Sequence, residues 1–411
     1  MNVSFEQIIE AGQTLNGIVI HTPTLPDKKL SAVTGAKVFL KAECLQRSGS
    51  FKIRGAYNSI SKLKDEEKAR GVIAASAGNH AQGVALAASL VGIRATIVVP
   101  RYAPLTKVNA TREYGAEVIL HGDSFDDAVA YSREVAIERK LTYVHAFDDD
   151  DVIAGQGTIG CEIAEDIPDT SVVVVPIGGG GLISGIAIAI RALLPEARVV
   201  GVEAENLASM SASVKAGGTV ELPFKATIAD GIAIKRPVDR TVEIIREYVD
   251  EIVQVSEKEI AHGIFHCIQN QHLVVEGAGA SSAAALLAGK VSVNSDDTVC
   301  AVLAGGNIDS NLLARVLEQD LVSQGRYVMF KCLVDVRPGS LSGLLSAAAD
   351  AGANVIEVFH RRAMWLAPLG QVGVELLLEV RDPEHLAFVQ KKIASAGYRI
   401  KQKVQDEWDE M

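Results

Sequence analysis

Lys52 lies in the segment SFKIRGA, immediately before a run of apolar residues with helical spacing. The apolar positions of that run are Ile53, Ala56, Tyr57, Ile60 and Leu63. The spacing predicts a helix that begins at or near Lys52, where the partial positive charge of the helix N-terminus lowers the pKa of an amine. A neutral amine is what Schiff-base chemistry requires. An ordinary exposed lysine at a helix start is the alternative, and this motif taken alone favours it.

The segment Ser76-Ala77-Gly78-Asn79-His80 follows an apolar run, Val72–Ala75, and precedes a helical pattern over Ala81–Leu90. A loop in that place lies at the carboxyl edge of a sheet, where α/β folds bind ligands. Its backbone N–H groups at a helix N-terminus suit a carboxylate, and the Asn79 amide suits a phenolic or carbonyl oxygen. A tight turn with Ser76 as the helix N-cap is an equally good interpretation.

Four consecutive glycines, Gly178 to Gly181, come between the apolar run Val172–Ile177 and a helical stretch that begins near Leu182. Successive glycine N–H groups before a helix form a nest for a phosphate. The spacing matches neither a dinucleotide fingerprint nor a Walker A loop. The pattern therefore favours binding of a single phosphate group over a merely flexible turn.

Two other clusters have a simpler interpretation. His262 and His266 are four residues apart, but Gly263 stands where a zinc protease has its glutamate, so a packed or solvated helix face is expected. The acidic run over 148–151 lacks the spacing of a calcium loop and is expected to be a solvated turn or a helix start.

A helix-start lysine, a nest for a carboxylate and a nest for a phosphate together describe a pyridoxal phosphate site. The sequence resembles fold-type II pyridoxal phosphate enzymes, and within them most closely the threonine dehydratases, over about residues 5–318. Six motifs occur in the order typical of that family: SFKIRGA, SAGNHAQG, FDDDDVIAGQGT, GGGGL, TIADGIAIKRP and LAGGNID.

The resemblance implies a role for each matching residue. Lys52 is the Schiff-base lysine and moves the substrate α-proton, and Asn79 contacts the 3′-oxygen of the cofactor. The substrate carboxylate is held by the loop of Ser76, Ala77, Gly78, Asn79 and His80. The cofactor-binding residues are Phe51, Lys52, Asn79, Gly178, Gly179, Gly180, Gly181, Leu182, Glu276 and Ala304.

Two positions depart from related patterns. Serine racemases resemble this chain but place a second serine, a proton donor on the opposite face, where this sequence has Ala77. The family commonly has a serine hydrogen-bonded to the pyridine nitrogen where this sequence has Ala304. Relatives often bind a cation in the segment after Glu203, but here Leu207, Ala208 and Ser209 replace a more acidic pattern, so no metal ligand is expected.

Composition limits the remaining functions. The chain has 411 residues, 48% of them hydrophobic, and a net charge of −11 without a basic cluster, which argues against nucleic-acid binding. No apolar run is long enough for a membrane span, and the first residues do not read as a secretory signal. The five scattered cysteines fit a reduced cytoplasmic compartment.

Short apolar runs alternate with helical patterns, which predicts an α/β fold with parallel-rich sheets. The strands are expected at Val72–Ala75, Ala95–Val99, Glu117–Leu120, Val172–Val175, Arg198–Val202 and Thr298–Leu303, each buried on both faces. The helices that follow them are expected at Ala81–Leu90, Leu105–Tyr114 and Ser124–Glu138. The catalytic domain should span 1–320, with a two-lobed fold whose smaller lobe is about 46–147.

The pattern changes after a polar stretch, Glu318–Arg326, that reads as a linker. Strands at Tyr327–Val336, Asn354–Arg361, Val372–Val380 and Tyr398–Val404 and helices at Ser340–Ala351 and Pro383–Ala396 give the order βαββαβ, the ferredoxin-like pattern. Ser340 is expected as N-cap and Gly352 as C-cap of the first of these helices. The region 327–405 resembles an ACT domain, on this element order and the RPGSLSGLL segment.

The resemblance implies a small amino-acid effector at the loop before that helix. The effector residues would be Asp335, Arg337, Gly339, Ser340 and Leu341, and a branched-chain amino acid would fit them. A domain that only pairs subunits is the equal alternative. Subunits of a homodimer or homotetramer are expected.

The resemblance therefore implies a lyase that releases ammonia from L-threonine to give 2-oxobutanoate, and from L-serine to give pyruvate. A serine racemase, a 3-hydroxyaspartate dehydratase and a non-catalytic amino-acid sensor with a degenerate cofactor site remain as alternatives.

Overall fold

The computed structural model describes residues 3–103, 105–361 and 367–402. The chain separates into two compact units, Met1–Leu313 and Ala314–Met411. The strands of the first unit, in chain order, are β1 (Thr24–Pro26), β2 (Lys37–Lys41), β3 (Val72–Ala75), β4 (Ala95–Val99), β5 (Glu117–Leu120), β6 (Thr142–Tyr143), β7 (Val172–Pro176), β8 (Arg198–Ala204), β9 (Glu251–Val255) and β10 (Thr298–Val302).

Fourteen described helices accompany these strands and reach the unit boundary. They are α1 (Phe5–Leu15), α2 (Lys28–Thr34), α3 (Lys52–Ser61), α4 (Asp65–Arg70), α5 (Asn79–Val91), α6 (Leu105–Glu113), α7 (Phe125–Arg139), α8 (Asp150–Asp166), α9 (Gly181–Leu193), α10 (Ser209–Ala216), α11 (Asp239–Tyr248), α12 (Glu257–Gln271), α13 (Gly277–Leu287) and α14 (Ser310–Ser323). Short 3₁₀ turns lie at Glu43–Leu45, Glu205–Leu207 and Asp230–Ile232.

The first unit has two lobes, each built on its own sheet. The larger sheet has the order β1-β2-β10-β7-β8-β9, and only the β1–β2 pair is antiparallel. The smaller sheet has the order β5-β4-β3-β6 and is parallel throughout. The α/β prediction with parallel-rich sheets is thus confirmed.

All six predicted strands of this unit exist within two residues of their predicted bounds. The central ones are fully buried because helices cover both faces of a parallel sheet. The prediction that Glu117–Leu120 is buried on both faces is wrong: β5 is an edge strand, and its two end residues are exposed. An apolar run in an edge strand differs little from one in a central strand, so the sequence could not distinguish them.

The helix α3 approaches α8 very closely, and glycines make that approach feasible. A Cβ atom on Gly155 would lie 2.7 Å from the Arg54 carbonyl oxygen, and one on Gly55 would lie 2.6 Å from the Val152 carbonyl oxygen. Such distances leave no room for any side chain. The backbone that carries Lys52 is therefore pressed directly onto a buried helix of the larger lobe.

The second unit contains β11 (Tyr327–Asp335), α15 (Ser340–Asp350), β12 (Asn354–Arg361), β13 (Gln371–Glu379), α16 (Pro383–Ser395) and β14 (Arg399–Gln402). The antiparallel sheet has the order β12-β13-β11-β14, and one apolar core joins the sheet to both helices. The element order βαββαβ is the ferredoxin-like one. The predicted strand end at Val404 lies outside the described residues.

Three boundary predictions near this unit are wrong. The stretch predicted as a linker is helical up to Ser323, because α14 continues through its polar residues. The N-cap of α15 is Gly339, which has a φ of +88°, and Ser340 is already the first helical residue. The C-cap is Ala351, and Gly352 takes the left-handed position one residue later, with a φ of +79°.

Among the described residues, no helix has the length and apolar character that a membrane crossing requires.

Candidate active site

Lys52 is the first residue of α3, as the sequence predicts. The segment before it is fixed to the end of the larger sheet, because the Phe51 N–H donates to the Ala304 carbonyl oxygen at 3.1 Å. The Lys52 Nζ atom donates to the Ala146 carbonyl oxygen at 3.1 Å and lies 5.0 Å from the centre of the Phe51 ring. The amine is thereby held between an aromatic ring and a backbone carbonyl.

The pKa of Lys52 is lowered to about 8, chiefly because the amine is desolvated, and against the opposing effect of the Glu276 carboxylate. The direction agrees with the sequence argument, but burial rather than the helix terminus is the cause. A lysine with this pKa has a substantial neutral fraction near neutral pH. It is therefore suited to Schiff-base formation and to proton transfer.

The loop 76–78 connects β3 to α5. The Gly78 N–H donates to Ser76 Oγ at 3.1 Å, and Gly78 rather than Ser76 occupies the N-cap position. The N–H groups of the first turn of α5, directly after this loop, have no partner within the helix. The first turn of α5 therefore has the free donors that a carboxylate needs, and the assignment of residues 76–80 to the substrate carboxylate stays a prediction.

His80 is buried, and its ring contacts the backbone that follows β6. Its Nε2 atom lies 2.9 Å from the Val144 carbonyl oxygen, so this nitrogen must carry the proton. Burial and the nearby Lys52 lower the pKa of His80 to about 3, and the ring is neutral. Only the backbone N–H of His80 is left to contribute to a carboxylate site.

Asn79 and Glu276 meet at the centre of the site. The Asn79 Nδ2 atom donates to Glu276 Oε1 at 2.5 Å, and Glu276 is buried at the N-cap of α13. Burial raises the pKa of Glu276 to about 7, and the Asp230 carboxylate adds to the rise, whereas Lys107 opposes it. Gly305 makes room for this carboxylate, because a Cβ there would lie 2.5 Å from Glu276 Oε1.

The predicted phosphate nest is a tightly packed loop between β7 and α9. A Cβ atom on Gly178 would lie 2.9 Å from Ile232 Cα, and one on Gly179 would overlap the Phe147 ring. Gly180 has a φ of +89° and is the N-cap of α9. Within the described part of the chain, the N–H groups of Gly178, Gly179 and Gly180 have no backbone acceptor. These donors and the N-terminus of α9 form a cradle for a phosphate.

One short segment, Ala146-Phe147, brings the lysine and the phosphate cradle together. The Ala146 carbonyl oxygen accepts from Lys52, the Phe147 ring lies over Gly179, and the Cβ and backbone of Phe147 lie against Gly181. The apolar residues Phe51, Leu182 and Ala304 belong to a single buried cluster on the same side. The sequence-predicted cofactor residues therefore share one site, although 253 positions separate Phe51 from Ala304.

Arg54, two residues after the lysine, anchors α3 through buried ion pairs. Its guanidinium donates to Glu43 at 2.7 and 2.9 Å and to Glu162 at 2.6 and 3.0 Å. Lys41, also buried, pairs with the same Glu162 at 2.8 Å. Because a buried charge without partners is costly, these groups fix the helix start relative to the larger lobe.

Sequence reasoning missed several residues of the site. Ala146 and Phe147 lie beside or in the motif FDDDDVIAGQGT, and Asn307 is in LAGGNID, but the sequence indicates no role for them. Lys107 and Asp230 form an ion pair of 2.6 Å between the two lobes beside Glu276. No sequence spacing indicates this pair, since it depends on how the lobes meet.

The histidine pair and the acidic run, which have the simpler interpretations, play structural roles. His266 is buried, with its Nε2 atom 2.6 Å from Asp27 Oδ2. Asp149 is the N-cap of α8 and accepts from the Val152 N–H at 2.8 Å, as expected for a helix start.

Glu203 accepts from the N–H groups of Met210 and Ser211, both at 2.8 Å. Among the described residues, no group of three or more metal-ligating side chains is present.

In the second unit, the predicted effector residues lie along the connection from the end of β11 to the first turn of α15, and two of them pair with each other. Asp335 accepts from Arg337 and also from Gln371 Nε2, the latter at 3.2 Å. The Ser340 carbonyl oxygen accepts from the Tyr398 hydroxyl at 2.9 Å, and Leu341 packs at the border of the apolar core. The assignment of this loop to an effector stays a prediction.

The catalytic unit thus has the lysine, the phosphate cradle and the polar side chains that pyridoxal phosphate needs, on a two-lobed α/β fold. Residues 15–305 match the family of pyridoxal-phosphate dependent enzymes, and the chain belongs to that family. The family's cofactor is the one that the sequence predicts.

Individual relatives extend this likeness beyond the catalytic unit. The chain is 49% identical over 399 residues to an L-threonine ammonia-lyase of Thermotoga maritima, with 97% of this chain and 99% of the relative covered. A maize serine racemase structure superposes with a TM-score of 0.74 and 35% identity, covering 79% of this chain and 100% of that one. A threonine deaminase from Solanum lycopersicum gives a TM-score of 0.73 and 36% identity, covering 76% and 87% respectively.

Proposed function

We propose that this chain is an ammonia-lyase that converts L-threonine to 2-oxobutanoate and ammonia, and L-serine to pyruvate and ammonia. The observation that carries the proposal is the near-full-length identity of 49% with a protein named L-threonine ammonia-lyase. The site described above supports it, because a lysine with a pKa of about 8 can both bind a carbonyl carbon and remove a proton.

Each group of the chain has a defined task in this proposal. The glycines 178–181 hold the phosphate of pyridoxal phosphate, and Lys52 holds its carbonyl carbon. When bound, the cofactor supplies an electron sink that stabilises negative charge at the substrate α-carbon. The loop 76–80 orients the substrate carboxylate through backbone N–H groups. Once the substrate amine has replaced Lys52 at that carbonyl carbon, the freed Lys52 amine would take the α-proton, and the β-hydroxyl group would leave with a proton as water. The released enamine would then take up one water molecule and hydrolyse to a 2-oxo acid and ammonia.

A serine racemase is the second candidate, since a maize serine racemase has the same fold. Racemisation needs proton donors on both faces of the α-carbon. Serine racemases resemble this chain but carry a serine at the position that matches Ala77. Ala77 itself has no hydroxyl group to donate a proton. With one proton-transferring group, Lys52, elimination is favoured.

The assay that tests the function uses the purified full chain with pyridoxal phosphate. L-threonine, L-serine and 3-hydroxyaspartate are supplied separately, and the 2-oxo acid, the ammonia and the enantiomers of the remaining amino acid are quantified. We expect equal amounts of 2-oxobutanoate and ammonia from threonine, and a yellow protein. Faster turnover of 3-hydroxyaspartate, rapid formation of D-serine, or a colourless protein that binds amino acids without turnover would each contradict the proposal.

We further propose that the second unit is an ACT-like regulatory domain, in a chain divided into a catalytic part, 1–320, and a regulatory part, 327–405. Its ferredoxin-like order and the loop before α15 support this. The ammonium group of a branched-chain amino acid would replace Arg337 on Asp335, and the first N–H groups of α15 would bind its carboxylate. Binding would change activity through a coupling of about 1–3 kcal/mol.

Calorimetry with isoleucine and valine on the full chain tests the regulatory role. Asp335→Asn should abolish the binding heat, whereas Arg337→Ala should preserve it because the Asp335 oxygen that Arg337 occupies is then open to the ammonium group. Arg381→Ala, at another exposed arginine of the same unit, is the matched control. No heat with either amino acid would leave subunit pairing as the role of the unit.

The homodimer or homotetramer and the cytoplasmic location stay predictions, which sedimentation and cell fractionation can check.

A further inference from the structure

Asn307 has no role in the function proposed above, yet its side chain lies in the middle of the site. Its Nδ2 atom is 2.9 Å from the Ser48 carbonyl oxygen, 2.8 Å from Asn79 Oδ1 and 3.3 Å from Gln82 Oε1. Ser48 and Gln82 are both buried. All three contacts are with oxygen atoms, so this amide nitrogen has only acceptors around it.

The Ser48 backbone carbonyl determines which atoms donate and which accept in these contacts. The Ser48 carbonyl oxygen can only accept, so the end of the Asn307 side chain that faces it must be the NH₂ group. The same NH₂ group faces Asn79, and the nearer atom of the Asn79 amide must therefore be its oxygen. The Asn79 NH₂ group is left to face Glu276, at 2.5 Å.

The backbone around Asn307 is shaped to hold it. Gly49 has a φ of +70°, and a Cβ atom there would overlap the Asn307 amide. The Gly306 N–H donates to the Gly49 carbonyl oxygen at 2.8 Å, which fixes the two segments side by side. The position of the Asn307 side chain is thus set by backbone groups and not by Asn79 alone.

We propose that Asn307 is a positioning residue that fixes the orientation of the Asn79 amide, so that Asn79 presents N–H donors to Glu276 and to the cofactor oxygen. The inference rests on the proposed function only through the cofactor. Without Asn307, the Asn79 amide can rotate by half a turn and present its oxygen to Glu276 instead. When Glu276 is ionised, that orientation places two acceptors together, and at any pH it removes a donor from the cofactor side.

The decisive variant is Asn307→Asp, which keeps the shape but has no N–H group. Its carboxylate would draw the Asn79 NH₂ group toward itself and turn the Asn79 oxygen toward Glu276. We expect at least tenfold weaker binding of pyridoxal phosphate to the cofactor-free protein, and a shifted pH midpoint of the cofactor absorbance band. Asn307→Ala removes the constraint without adding repulsion, so its loss should be smaller. Asn311→Asp, with the same change at an exposed side chain four residues on, should bind as the wild type does.

A double-variant cycle separates positioning from a general structural effect. In an Asn79→Ala background, Asn307→Asp should change the cofactor dissociation constant by less than twofold. Three results would overturn the proposal: unchanged binding by Asn307→Asp, the same tenfold loss without Asn79, or a larger loss for Asn307→Ala than for Asn307→Asp. Since cofactor binding is measured without threonine, failure of the proposed lyase activity would be seen separately.

Discussion

The amide nitrogen of Asn79 lies 2.5 Å from a carboxylate oxygen of Glu276, although the two residues are 197 positions apart. Asn79 begins the helix α5 of the smaller lobe, and Glu276 caps α13 of the larger lobe. The contact therefore completes the site only when both lobes are folded and meet. It also places a titratable carboxylate, with a pKa of about 7, directly beside the residue expected to contact the cofactor.

This burial of Glu276 predicts a pH-dependent stability. Its pKa is about 7 in the folded protein and near its ordinary value, 4.5, in the unfolded chain, so the folded state binds the extra proton between these values. Stability must therefore fall as the pH rises from about 4.5 to 7. Glu276→Gln removes that loss, and we expect the variant to gain about 1–3 kcal/mol relative to the wild type between pH 5 and pH 8. Urea unfolding of the cofactor-free proteins at both pH values measures it. A difference that does not change with pH would show that Glu276 is ionised throughout.

The tight packing of the phosphate cradle leads us to expect that one added methyl group at Gly179 weakens cofactor binding strongly. Gly179→Ala places a Cβ atom on the Phe147 ring, so the loop must move and its N–H groups must turn away. We expect cofactor binding to weaken by at least tenfold, measured by fluorescence titration of the cofactor-free protein. Gly218→Ala is the matched control, because a Cβ atom there meets nothing within 4 Å. Equal binding by the two variants would place the phosphate elsewhere.

The absence of a hydroxyl group at Ala77 leads us to expect that elimination is favoured over racemisation. Ala77→Ser supplies the hydroxyl group that serine racemases have at this place, so D-serine formation from L-serine should rise at least tenfold while elimination holds or falls. Chiral chromatography of the reaction mixture measures both. Ala110→Ser, at a partly buried alanine of α6, should change neither. Rapid D-serine formation by the unchanged protein would disprove the argument that protons are delivered from one face only.

Ala304 predicts a weaker hold on the cofactor ring than a serine would give. The residue is buried, and its carbonyl oxygen accepts from the N–H of Phe51, the residue before the lysine. Ala304→Ser should strengthen cofactor binding by about one hydrogen bond, ~0.5–1.5 kcal/mol. Ala304→Cys, similar in size but a weak donor, should gain little. An unchanged dissociation constant in the serine variant would mean that another group already bonds the ring nitrogen.

The strands of the catalytic unit were predictable because burial on both faces of a parallel sheet requires continuous apolar runs, as in Val172–Pro176. β2 and β9 were not predicted: β2 begins and ends with lysine, and β9 has exposed polar residues at Glu251 and Gln254. Both motif-bearing loops follow predicted strands, so the sequence alone indicates that each lies at the carboxyl edge of a sheet.

What sequence could not supply is the set of contacts between distant segments. The pKa of Lys52 depends on its burial. The pKa of Glu276 depends first on its burial and then on Asp230 and Lys107, which approach from the two lobes. The donor direction of Asn79 depends on Asn307, at a separation of 228 residues. Local patterns determine which elements form, whereas these contacts depend on how the lobes meet.

The most direct test of the account compares the wild type with Lys52→Ala in one assay of 2-oxobutanoate formed from L-threonine, both proteins carrying added pyridoxal phosphate. Lys62→Ala, at a partly exposed lysine that ends the same helix, serves as the control. The account predicts product from the wild type and the control, and less than about 1% of the wild-type rate from Lys52→Ala, since loss of a general base alone costs ~10²–10⁴-fold. A rate above that level in Lys52→Ala, or no 2-oxobutanoate from the wild type, would contradict it.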